Sequence, residues 1–341
     1  MKKGNCRLAA ACVTLAASFI AGTAHAQSSV QLYGVDGIYV GRLKHSGGPA
    51  AAVTMGGGGM STSFWGIRGK EDIGDGNSVV VRLESFFQPN NGTMGRTAAD
   101  PFMSRNAYIG LLTRYGKLFL GRQTNPTYVN MQYLNPFGVS VVFSPIVLQT
   151  FIPSYNNTTI GDSVWNNAVQ YQTPDIHGFT EAAIYGVGGV AGANGIANIG
   201  LHVRYEHGPF MVAVSLQRVR QPVTAPLTEQ DMWLGGFTYN FDFAKIYALA
   251  TGAETYGKPS HSRTLMLGLR VPVGETGSIL AEWSRTMREA PLASKTMRNT
   301  GAIAYDYALS KRTDVYAVCL YDKTSGFGSA TTTSLGIRHA F

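Results

Sequence analysis

Between Thr62 and Gln123 the chain keeps a period of two, and nothing else limits its folding as much. Ser63, Trp65 and Ile67 fall on one side; Phe64, Arg68 and Lys70 fall on the other. After Gly74-Asp75-Gly76 the rhythm restarts, with Val79, Val81, Leu83 and Phe87 opposite Ser78, Arg82, Glu84 and Gln88. Successive side chains of an extended strand point to opposite faces, so these are two strands joined by a tight glycine turn. Each strand has an oily face and a face carrying Arg, Glu and Gln. A soluble sandwich would turn the oily face inward. A membrane barrel turns it out to lipid and leaves the charged face on a watery lumen.

The rest of the chain decides for the barrel. About sixteen such strands can be read, and their connections alternate in length. Ile73–Asn77, Arg114–Gly116, Pro174–Gly178 and Phe241–Phe243 are short; Arg42–Ser61, Pro89–Pro101 and Thr124–Ser163 are long. This sorting predicts an all-β fold: a transmembrane antiparallel β-barrel with short periplasmic turns and long extracellular loops. Charged residues make up 14% of the chain, against ~25% in soluble domains. Mean hydropathy is nevertheless near zero, which excludes a helical membrane protein. The uncharged tract Ala182–Leu201 carries six glycines. Each costs a helix ~1 kcal/mol relative to Ala, so the tract reads as strand, loop and strand. Trp65, Tyr108, Tyr171, Trp233, Trp283, Tyr305 and Tyr321 lie within strands or near their ends, where they can form interfacial girdles.

The two ends of the chain carry addresses. Met1-Lys2-Lys3 and Arg7, the apolar run Leu8–Ala21 and the small-x-small Ala24-His25-Ala26 predict a cleaved signal peptide over 1–26, with the barrel in 27–341. The leader predicts export, and a transmembrane barrel is expected in an outer membrane. Removal of Lys2, Lys3 and Arg7 leaves 28 − 3 = 25 basic residues against 20 acidic ones, a charge of +5. Of three cysteines only Cys319 stays, so no internal disulfide is expected. At the other end Leu335, Ile337, His339 and Phe341 share a face. Alternation ending in a terminal Phe resembles the signal by which the barrel-assembly machinery recognises its clients.

Enzyme and cofactor readings find little. Gly252 to Lys258 begins like a phosphate loop, but Pro259 stands where the Ser or Thr would be and no helix pattern follows. Gly56-Gly57-Gly58-Gly59 reads as a flexible loop. The histidines show no metal-ligand spacing, and no nucleophile motif is present. No catalytic residue, cofactor or metal is therefore expected. The positive charge is spread along strands rather than gathered in a stripe, so no nucleic acid partner is expected.

Five segments carry a family resemblance: Val30-Gln31-Leu32-Tyr33-Gly34-Val35-Asp36-Gly37, Gly66 to Gly74, Gly116 to Gln123, Leu309-Ser310-Lys311-Arg312-Thr313 and Gly336 to Phe341. Together they resemble the Gram-negative general porins, trimeric outer-membrane barrels of sixteen strands. The resemblance implies that Thr124–Ser163 folds into the barrel as a constriction loop, with Tyr133, Pro136, Phe137 and Phe143 among its aromatic and proline residues. From Gln123 to Gly161 this loop has no charged residue, and Asp162 is the first. The family often has Arg where this chain has Phe64. The charged residues left for the constriction are Arg68, Arg82 and Glu84, with Arg105 assigned by its place in the motif. The activity so implied is that of a passive diffusion channel for small hydrophilic solutes, modestly anion-preferring. Its partners would be two further copies of itself, outer-membrane lipid and lipopolysaccharide. The alternative is a substrate-specific porin; a barrel enzyme and an adhesin are the readings from other classes.

Overall fold

A computed structural model describes residues 29–189, 197–221, 228–257, 259–291 and 294–341. The proposed signal peptide, 1–26, lies outside the described residues. The strands are β1 Ser29–Leu43, β2 Ala52–Gly57, β3 Phe64–Gly74, β4 Asn77–Gln88, β5 Thr93–Met94, β6 Asn106–Thr113, β7 Gly116–Thr124, β8 Val164–Gln172 and β9 Phe179–Gly186. The series continues with β10 Asn198–His207, β11 Phe210–Gln221, β12 Thr228–Asn240, β13 Lys245–Tyr256, β14 Ser260–Val273, β15 Gly277–Glu289, β16 Thr296–Ala308, β17 Thr313–Thr324 and β18 Ala330–Ala340. Two short helices, α1 Pro126–Tyr133 and α2 Pro145–Phe151, lie between β7 and β8.

Neighbours along the chain pair antiparallel, and β1 closes on β18 from Val35↔Ala340 to Arg42↔Thr333. Gly34 and Phe341 extend that seam by exchanging backbone hydrogen bonds of 3.2 and 3.1 Å. Closure leaves no free sheet edge among the described residues, so the ladders pair within the wall, the condition for crossing a membrane with strands. Eighteen strands make sixteen staves (18 − 2), because β2 and β3 share one and β5 is a tab on β4.

Exposure identifies the outer face. In β14, Leu265 and Leu267 are 51% and 61% exposed while Met266 between them is 1% exposed. Ile67, Val81, Leu201, Leu216, Trp233, Ile303 and Leu335 are likewise exposed, so the outside is an apolar band. Because Ile67 and Val81 point out, Arg68 and Arg82 point into the lumen.

The tetraglycine is not a flexible loop. β2 pairs with β1 from Leu43↔Ala52 to Ile38↔Gly57, and β3 resumes at Val35↔Phe64. Residues 58–63 leave the ladder and dip inward, where Met60 is buried against Phe137 and Phe143. Gly58 and Gly59 have φ of +87° and +92°, and a Cβ at Gly59 would lie 1.9 Å from the Tyr316 hydroxyl. The Gly37 N–H donates to Ser63 Oγ at 3.0 Å, and the Gly58 N–H donates to the Gly37 carbonyl at 2.7 Å. The run is glycine-rich because the chain must turn sharply in a crowded wall.

The core lies inside the barrel. Asn125 caps α1 by accepting from the Tyr128 N–H at 2.9 Å, and Pro126 opens the helix. Met131, Leu134, Ile146 and Val147 pack on Met211, Leu234, Leu249 and Met266 of the inner wall. Phe137, Phe143 and Leu148 pack on Tyr39, Tyr316 and Leu320. The expected infolding of 124–163 is thus present, and its apolar residues bury against apolar side chains of the wall.

Candidate pore constriction

The loop covers the wall from β10 round to β17 and β1. The wall of β3, β4, β6, β7 and the first half of β1 stays open. Gln31, Arg68, Arg82 and Tyr108 form one row across four strands, each in register with the next. Arg68 donates twice to Gln31 Oε1, at 2.9 and 2.6 Å, and lies 5.0 Å over the Tyr33 ring. Arg82 lies 5.7 Å over the Tyr108 ring. Two cations directly across a ladder repel. Here the negative ring faces and the Gln31 oxygen hold them apart and aimed into the lumen.

Glu84 is the counterweight. It is 1% exposed and accepts from the Tyr33 hydroxyl, Asn106 Nδ2 and Arg105 Nη1, with Arg82 Nε 3.9 Å away. Arg105 rests on the Phe64 ring at 4.1 Å, and Tyr33 meets that ring edge-on at 6.0 Å. Phe64 is therefore the shelf for Arg105, a contact that reading it as a missing arginine did not foresee. Three arginines against one carboxylate leave this patch at +3 − 1 = +2.

Asp162 is engaged elsewhere. Arg96, in the segment after β5, grips it at 2.9 and 2.7 Å and also binds Asp100 at 2.9 and 2.8 Å. Arg122 stands 3.4 Å from Asp162 and donates to the Ser104 carbonyl at 3.0 and 2.7 Å. Two arginines and two carboxylates cancel, and the group ties the base of the constriction loop to its neighbour. Burial raises the Asp100 carboxyl, but the hydrogen bonds from Arg96 outweigh it and hold the group below the ordinary carboxylate range. The same bonds hold Arg96 firmly protonated.

On the loop side Tyr133 is 50% exposed, with Arg204 of β10 stacked 5.0 Å over its ring. Pro136 presses on the wall where a Cβ at Gly268 would come within 2.6 Å of its Cδ. Phe137 and Phe143 are fully buried anchors rather than lining. Ser140 Oγ donates to the Gly59 carbonyl at 2.7 Å, fastening the loop's tip to the broken stave. Glu282 of β15 is buried and accepts from the Ile146 N–H at 2.6 Å and from Ser144 Oγ at 3.2 Å, holding the start of α2.

Sequence reading missed Arg96, Arg122, Arg204 and Glu282. Arg204 was recoverable, because it alternates with Val203 and Tyr205. Glu282 was not, because an inward Glu in a pore wall gives no sign of facing a loop rather than water. Among the described residues no three His, Cys, Asp or Glu side chains converge as a metal would require.

The sequence model of the Gram-negative porin family matches residues 9–326. An outer membrane porin protein of Bordetella pertussis is 29% identical, over 94% of this chain and 96% of that protein. Outer membrane porin protein 32 of Delftia acidovorans is 27% identical, over 96% and 99%. Among solved structures, an anion-selective porin from Comamonas acidovorans superposes with a TM-score of 0.78 at 25% identity, over 92% of this chain and all of that one (100%). Likeness of this extent, on a closed barrel with its oil outward, leaves one conclusion: the chain belongs to the Gram-negative porin family and is a passive, water-filled channel of the outer membrane.

Proposed function

We propose that this porin passes small anions in modest preference to cations. The observation that carries the reading is the facing pair Arg68 and Arg82, backed by Arg105 and balanced by a single carboxylate, Glu84. A water-filled passage with low-dielectric walls concentrates the field of such a pair and favours the opposite sign. The likeness to a porin described as anion-selective points the same way. Tyr133, Arg204 and the uncharged loop surface complete the narrow passage, with Pro136, Phe137 and Phe143 holding it in place. The test is the reversal potential of single channels in a potassium chloride gradient. Anion preference is expected, and Arg82→Gln should move the potential toward zero; a cation-selective wild type would overturn the reading.

Further assignments belong with it. The channel acts without catalysis or cofactor. Residues 1–26 are the export peptide and 27–341 the mature barrel, which sequencing of the mature N-terminus tests. The mature chain assembles as a homotrimer through the outer face of β1 and β16–β18. An apolar hollow of about 860 Å³ there, between Val40, Ile303, Tyr305, Cys319 and Leu335, gives a second copy something to fill. The remaining outer band meets lipid and lipopolysaccharide. The last strand, ending in Phe341, is what the assembly machinery grips.

A further inference from the structure

At the rim where the turns are short, two cations meet with no ion pair to a carboxylate among the described residues. Lys245 opens β13, and Arg270 of β14 stands directly across from it. Both face the lumen, on the opposite side from outward-pointing Leu269, and they lie on the far side of the barrel from Arg68 and Arg82. Lys245 Nζ sits 5.2 Å over the Tyr247 ring. Arg270 reaches Ser278 Oγ with Nε at 3.3 Å and Nη2 at 3.2 Å. Among the described residues neither cation has a carboxylate oxygen within the 4.0 Å of an ion pair. Arg338, by contrast, is held by Asp314 at 3.0 Å and by Asp306 at 3.9 Å. Glu206 acts on Lys245 and Asp306 on Arg270 through space rather than as ion pairs, and Asp306 stands directly across the ladder from Ser278.

These side chains line one open cavity of about 470 Å³, floored by Asn240 and Ser278, with Asp242 and Glu275 among its lining in the adjoining turns. Like charges in register destabilise a ladder. The eyelet pair has Glu84 in contact to offset that cost, whereas this pair has no carboxylate in ion-pair contact among the described residues. A guanidinium fork, an ammonium and a hydroxyl converging on water are the donors a compact oxyanion needs. We propose that Lys245, Arg270 and Ser278 form an anion-binding station at the periplasmic mouth, separate from the eyelet, for small phosphate-like or carboxylate anions. An anion leaving the constriction would pause here before release, and one entering from the periplasm would be gathered here first.

The test uses the full barrel in planar bilayers with inorganic phosphate as the probe. Phosphate added on the short-turn side should reduce the chloride current at lower concentration than phosphate added on the other side. In a Lys245→Gln/Arg270→Gln double variant, which removes two charge-assisted donors, the half-blocking concentration should rise by about tenfold or more. Conducting channels of that variant show that it has folded, and Lys245→Arg should retain the block. Arg82→Gln should shift the chloride reversal potential yet keep the side-specific block. A block unchanged in the double variant, or one abolished by Arg82→Gln, would overturn the station. A cation-selective wild type would instead overturn the eyelet reading, whatever phosphate does.

Discussion

Glu84 shows how one side chain sets the charge of a passage. Its two oxygens take a phenol, an amide and a guanidinium, so the carboxylate is held in the wall while its charge still subtracts from that of Arg82 and Arg105. Glu84→Gln keeps the shape and removes the charge. The anion-to-cation permeability ratio should rise, read as a larger reversal potential in the same salt gradient; an unchanged potential would show that Glu84 is electrically silent. Glu282 is the opposite case, a carboxylate with no arginine or lysine among its partners in the described residues. Glu282→Ala strips the acceptor from the Ile146 N–H and the Ser144 hydroxyl, and a buried donor left unmade costs about 1–3 kcal/mol. The loop should loosen, giving noisier and larger single-channel currents. Currents in the variant as quiet as those of the wild type would show that packing alone holds α2.

At the scale of elements, the constriction loop is held by oil against oil, by Glu282 at the start of α2, by Ser140 on Gly59, and by the Arg96 group at its base. The last is pH-sensitive. The Asp100 carboxyl is held below its ordinary range, so its contribution is complete above about pH 4 and fades as pH falls through its own lower value. Channel noise should therefore stay flat from pH 7 to about 4 and grow below that, while Arg96→Ala should be noisy already at neutral pH. Gly268→Val tests the packing: its side chain overlaps Pro136, so the loop must shift and conductance must change. The legibility of each element depended on the surroundings of its two faces. In β3 and β4 the lumen side meets water, so polar and apolar residues alternate cleanly. Along β11 to β17 the lumen side meets the loop, and Met211, Leu234, Leu249, Met266, Leu280 and Leu320 put apolar residues on the inner face as well. Period two blurs there, although the strands remain. Glycine has no side chain to show a period, so β2 and the break after it read as loop.

For the whole molecule the decisive join is β1 with β18. Phe341 contributes two backbone hydrogen bonds to Gly34, and its ring fills the space a Cβ at Gly34 would need. Deleting Phe341 should lower the fraction of chains that reach the compact, heat-modifiable form in refolding assays, with little effect on conductance of those that do. The cluster that seats the loop draws Tyr39 and Met60 from one end of the chain and Tyr316, Val318 and Leu320 from the other. Before the ends meet, Phe137 and Phe143 have only half their socket. The bore is thus calibrated by closure of the ring: a cylinder still ajar has only part of the seat for its own gauge, and the finished ring decides what size of solute it admits.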